Sequence, residues 1–190
     1  MASVVELVNQ SLYMLGQRAI ISMTEDCEAA RLCNGRYVYN RDATIRAYPW
    51  NSAMARATLA RSTDLPVWEF DYKFALPTDP LCLRVLKLQE KEENGCKWKI
   101  EGRWLVTDST TANILYLAQL ADVNGMDVLL RETIAARLAA DICYPLTGSN
   151  TQQQTMWNLY ESKIRQAKSV DAQEGTPEEY YEDPFLDARL

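Results

Sequence analysis

Between Trp68 and Phe74 the apolar side chains fall on every second residue: Trp68, Phe70, Tyr72 and Phe74 alternate with Glu69, Asp71 and Lys73. Aromatic against charged at period two describes a strand with one buried face. Before and after this region the apolar period is that of a helix. The chain therefore reads as α+β. The expected architecture is a bundle of about five helices, with an inserted small antiparallel sheet and an extended C-terminal arm. The expected boundaries are 1–65 for N-terminal helices, 66–120 for the sheet insertion and 121–175 for C-terminal helices packing on the first group. Residues 176–190 form an acidic, aromatic arm.

The first helix has a capping box, Ser3-Val4-Val5-Glu6, followed by Val5, Val8, Leu12 and Leu15 on one stripe and a stop at Gly16. Thr24 is the expected cap of a second helix through Ala29, Cys33 and Tyr37 to about Arg46. Pro49 suits a first helical turn, so a third helix is expected to carry Trp50, Met54, Ala57 and Leu59 to about Arg61. Leu81–Leu88 reads as a second strand. Asn94-Gly95 has the residues of a tight hairpin, and Gly102 turns the chain again. With Trp104–Thr107 and Ile114–Gln119 the insertion holds about five short strands. A helical period returns after Gly125 through Ile134, Leu138 and Ile142. Pro145 and Gly148 end that helix. Ser149 or Asn150 caps the last one, which carries Met156, Tyr160, Ile164 and Ala167 on one side.

The chain contains no histidine. That removes Ser-His-Asp and Cys-His catalysis and the commonest metal ligand. The five cysteines, Cys27, Cys33, Cys82, Cys96 and Cys143, are odd in number and never spaced C-x-x-C, so neither a disulfide framework nor a zinc site is expected. No cofactor is implied. No apolar run approaches the ~18 residues of a membrane span, and the first residues do not form a secretory signal.

Charge is distributed unevenly. Residues 171–190 hold seven acidic groups and one basic group, Arg189, which equals the net charge of −6 for the whole chain. The body is neutral. Residues 31–61 carry six arginines, including Arg36 and Arg41, against one acid, Asp42. This segment is either an anion-binding surface or an ordinary solvated one. The arm itself reads PEEYYEDPFLDARL. Its prolines and charges oppose a helix, while Tyr180, Tyr181, Phe185 and Leu186 are anchors that a solvated linker would not need. Either the arm is a disordered terminus, or Tyr180, Tyr181, Phe185 and Leu186 dock on a neighbouring copy or another protein; docking is the expectation, with Arg36 and Arg41 of a neighbouring copy as matching charges.

Four pieces of the chain, in order, resemble the head-to-tail adaptors of tailed bacteriophages, the tail tubular protein A or gatekeeper-like family of short-tailed phages. They are Val8-Asn9 with Leu12, Leu15, Gly16 and Ile20; Tyr48-Pro49-Trp50-Asn51 with Met54-Ala55-Arg56 and Leu59-Ala60; Leu76-Pro77 with Cys82-Leu83-Arg84-Val85; and the alanine-rich Ile134–Ala140 helix before a last long helix. The acidic arm is not part of that pattern. The resemblance implies a structural, non-enzymatic ring of typically twelve subunits at the head-tail interface of the virion, made in the host cytoplasm. Its implied partners are copies of itself, the portal protein and a tail tube or nozzle protein. Genomic DNA would pass through the lumen without specific binding. Two other classes compete: a cell-wall hydrolase using two carboxylates ~5–10 Å apart, and a cytoplasmic binding module with an acidic docking tail.

Overall fold

In the computed structural model, residues 3–89 and 97–174 are described. The protein is α+β, with four α-helices and six strands among the described residues, the strands in two antiparallel three-stranded sheets. Helix α1 (Val4–Met14) is capped by Ser3, whose hydroxyl accepts the Glu6 N–H at 3.1 Å, and Gly16 leaves it at φ 68°. Helix α2 (Glu28–Ala47) is capped by Cys27 rather than Thr24. The Cys27 sulfur accepts the Ala30 N–H at 3.4 Å, while Thr24 is engaged with the Ser22 hydroxyl at 2.9 Å. Helix α3 (Val128–Thr147) is the spine of the bundle and packs against α1, α2 and α4 (Asn150–Asp171). Leu130, Ile134, Leu138 and Ile142 are fully buried along it. Ala135 and Ala139 remain small enough for neighbouring helices to approach closely.

Between α2 and α3 run β1 (Met54–Thr58), β2 (Tyr72–Ala75), β3 (Cys82–Leu88), β4 (Trp98–Glu101), β5 (Trp104–Thr107) and β6 (Asn113–Ala118). One sheet has the order β1-β6-β3 and the other β2-β5-β4. Alternation of side chains divides β6 between two cores. Leu117 belongs to the helical core, whereas Ile114, Tyr116 and Ala118 belong to a second core with Phe74, Leu88 and Leu105 of the surrounding strands. The β1-β6-β3 sheet is thus a middle layer, with helices at one end of one face and the second sheet on the other face.

Several expectations need correction. The third helix does not form: after a single 3-10 turn at Asn51–Ala53, Met54–Thr58 is β1, paired with β6. Ala55 and Ala57 favour helix locally, but they present small surfaces to the sheet core, and the long-range pairing overrides the local preference. The bundle therefore has four helices rather than five. The strand expected from Trp68 is shorter, because Glu69 adopts φ 72° and only Tyr72–Ala75 pairs. The expected Asn94-Gly95 turn lies outside the described residues. The strands that flank it, β3 and β4, belong to different sheets rather than to one hairpin. Gly102 does turn a hairpin, with Glu101 opposite Trp104 and φ 62° at the glycine. Pro145 lies within α3 and does not end it. Gly148 ends it at φ 66°, donating to the Tyr144 carbonyl at 2.8 Å.

Candidate interaction surfaces

The end of α4 is clasped to the segment that carries the chain from α2 into β1. The Asp171 carboxylate, 7% exposed, accepts the Asn51 backbone N–H at 3.1 and 3.3 Å. In return the Asn51 side-chain amide donates to the Asp171 carbonyl at 2.7 Å. Tyr48 donates its hydroxyl hydrogen to the Lys168 carbonyl at 3.3 Å, and the Lys168 ammonium lies over the Tyr48 ring. Trp50 is buried beside this junction, donating its indole N–H to the Thr44 carbonyl at 3.0 Å. Burial pushes the Asp171 carboxyl above its ordinary range. The Asn51 N–H pulls it down, and Glu174 and Asp127 push it up further. The clasp fixes the last turn of α4 against the segment leading into β1. In the sequence Asp171 is only one more acid of the terminal run, and nothing in its spacing marks it as buried.

The docking anchors Tyr180, Tyr181, Phe185 and Leu186 lie outside the described residues. Of their expected counterparts, Arg36 is on the surface but sits 3.8 Å from Asp141. Arg41 is not a surface group: its side chain is 7% exposed and bonded to Asp42 at 2.8 Å, and Asp42 accepts from Gln119 at 2.6 Å. Arg41 thus ties α2 to the end of β6 and is not available for an acidic arm. Asn40, Asp141, Arg137 and Tyr160 form a second polar chain across α2, α3 and α4. Arg46 reaches the Leu83 carbonyl, and Arg103 reaches the Cys82 carbonyl at 2.9 Å and the carbonyl of Pro77. These arginines secure the sheets to each other and to the bundle.

Two cations that make no ion pair among the described residues, Arg56 and Lys87, lie on the middle sheet. Beyond the edge of the helical bundle, the face of β1-β6-β3 that carries Met54 and Leu117 continues into an open notch of about 600 Å³. Arg56 and Lys87 both stand in register with Leu115, one on each side of it. Thr58 donates to Asn113 at 2.7 Å, and Asn113 donates to Gln89 at 2.9 Å along the outer rim. Among the described residues no acid lines the notch, and neither Arg56 nor Lys87 makes an ion pair. Arg56 was visible in the arginine-rich segment, but only the strand register separates it from its structural neighbours Arg41 and Arg46.

A third surface is the loop before β2. Val67 is 99% and Trp68 77% exposed, with Leu65 beside them. The loop is anchored from below. Phe70 is buried, and Lys99 holds both Glu69 carboxylate oxygens at 2.8 Å under the left-handed Glu69 backbone. The alternation that predicted a strand hid this display, since it assigned Trp68 to a buried face.

Among the described residues no group of three or more His, Cys, Asp or Glu is placed to hold a metal ion, and no helix is long and apolar enough to cross a membrane. No protein-family model matches the chain, and no curated protein gives a significant match.

Proposed function

We propose that the chain is a structural adaptor that assembles into a ring, of about twelve copies if it follows the family it resembles, between the portal and the tail of a phage virion. The observation that carries this reading is the coincidence of the resembling pieces with the joints of the fold. Asn9 receives the Ile20 N–H at 2.8 Å and donates to the Ile20 carbonyl at 2.9 Å, closing the exit from α1. Tyr48, Trp50 and Asn51 join the bundle to the middle sheet and to α4. Leu76-Pro77 and Cys82-Leu83 supply the backbone that Arg46 and Arg103 grip. A shared set of joints supports a shared frame, and the frame supports the role.

Exposed apolar groups on separate sides favour an assembling subunit. Tyr13, Ile21 and Tyr39 are exposed on the helical end, while Val67 and Trp68 are exposed beyond the sheets. Isolated exposed apolar residues are ordinary, but the adjacent pair Val67-Trp68 on an anchored loop has the character of an interface anchor. In this reading the tail tube or nozzle protein binds below, genomic DNA passes through the lumen, and the acidic arm engages another component of the ring.

Co-sedimentation with purified portal rings tests the proposal. The expected result is that the chain migrates with the portal and that Trp68→Ser weakens this assembly without unfolding the subunit. A chain that never joins a portal ring, yet clears a peptidoglycan suspension, overturns it.

A further inference from the structure

We propose that in the single subunit the notch on the middle sheet is the seat of the chain's own acidic C-terminal segment, residues 178–187. Three observations point there. The first is chemical: Arg56 and Lys87 flank the half-buried Leu115 on a floor that has no acid among its described residues. Neighbouring strands lie ~4.8 Å apart, so the two cations stand ~10 Å apart across an apolar centre. A segment in which carboxylates flank apolar and aromatic groups matches this arrangement. Residues 178–187 supply Glu178, Glu179, Glu182, Asp183 and Asp187 around Tyr180, Tyr181 and Phe185.

The second observation is position. The Asp171–Asn51 clasp roots the arm beside the start of β1, and Arg56 lies on β1 itself. Met54 of that strand packs in the helical core on the same sheet face as Arg56, so root and notch lie on one side of the middle sheet. The third is reach. Asn51 to Arg56 spans at most ~18 Å, whereas eight residues of chain, the length of 175–182, can span up to ~26 Å. A tether of this length gives an effective concentration in the millimolar range, so an intrinsic dissociation constant in that range is tight enough for the seat to be filled.

The consequence is a stored arm. The two cations of the notch offset part of the segment's five acidic charges within one subunit, and a partner that offers a better surface exchanges for the notch. This inference does not depend on the ring, and its failure leaves the adaptor reading intact.

Zero-length carbodiimide crosslinking of the full chain, followed by peptide mass mapping of the monomer fraction, tests it. The Lys163–Glu132 pair, at 2.6 Å, serves as the internal reference. The expected result is an amide between Lys87 and one of Glu178, Glu179, Glu182, Asp183 or Asp187, with a yield unchanged on dilution. Arg56→Glu should lower that yield by about threefold or more while the reference crosslink stays constant. Three results overturn the proposal: no Lys87–tail product while the reference forms, a Lys87 product with Glu90, Glu92 or Glu93 alone, or a tail product confined to the dimer fraction. The last would assign the notch to a second copy.

Discussion

Replacing Asp171 with alanine probes the joint between the end of α4 and the segment leading into β1. The substitution removes the carboxylate that receives the Asn51 N–H. A hydrogen bond to a charged acceptor contributes ~1.5–3 kcal/mol. The lower end applies here, because the carboxylate is itself buried at a cost and Asn51 is exposed enough for water to reach its freed N–H. The expected loss is ~1.5 kcal/mol, or a fall in Tm of about 3–6 °C for a domain of this size. Calorimetry at neutral pH measures it. A fall smaller than about 1 °C refutes the clasp as a stabilising contact.

Asp171→Asn separates charge from hydrogen bonding, since the amide oxygen still accepts. Burial raises the folded-state pKa of Asp171 above its ordinary 3.8, so the folded chain holds that proton more tightly than the unfolded chain does. Relative to Asp171→Asn, the wild type therefore gains stability as pH falls from neutral through the raised pKa to below 3.8, and loses it as pH rises through the same window. A stability difference that is flat across this window, or that moves in the opposite direction, contradicts the assignment.

Other outcomes follow from the same structure. Leu138→Ala, at a fully buried position on α3, should cost ~3 kcal/mol and lower Tm by about 6–12 °C in thermal unfolding. Gly148→Ala forces a side chain into φ 66° and should cost ~1 kcal/mol, read by the same melt. Cys33 is buried and its thiol is pushed up to about 11, first by burial and then by Cys27, so alkylation at pH 8 should modify half-buried Cys27 well before Cys33 in the folded chain. The double change Val67→Ser with Trp68→Ser should leave Tm within about 1 °C, because both side chains are largely in solvent.

What could be read in the sequence followed local physics. The Ser3 cap, the stripe of α1, the glycine stops and the alanine-rich α3 are decided within one or two turns of chain, and each appears where its pattern placed it. What could not be read depended on partners distant in sequence. Met54–Thr58 looks helical until β6, about 60 residues later, supplies its hydrogen bonds. Arg41 and Arg56 look alike until the fold buries one against Asp42 and leaves the other beside Leu115. Trp68 looked like half of a strand because periodicity does not reveal a left-handed Glu69. The clasp and the notch, which give the acidic arm its origin and its proposed seat, come from register and topology and have no local signature.

The central proposal is that the chain assembles into a ring between a portal and a tail. Native mass measurement of the complex formed with an isolated portal ring tests it most directly. The account predicts one discrete species carrying a ring of subunits, about twelve, that is lost when Val67 and Trp68 are both changed to serine. A chain that stays monomeric in the presence of the portal, with its fold intact by calorimetry, contradicts it.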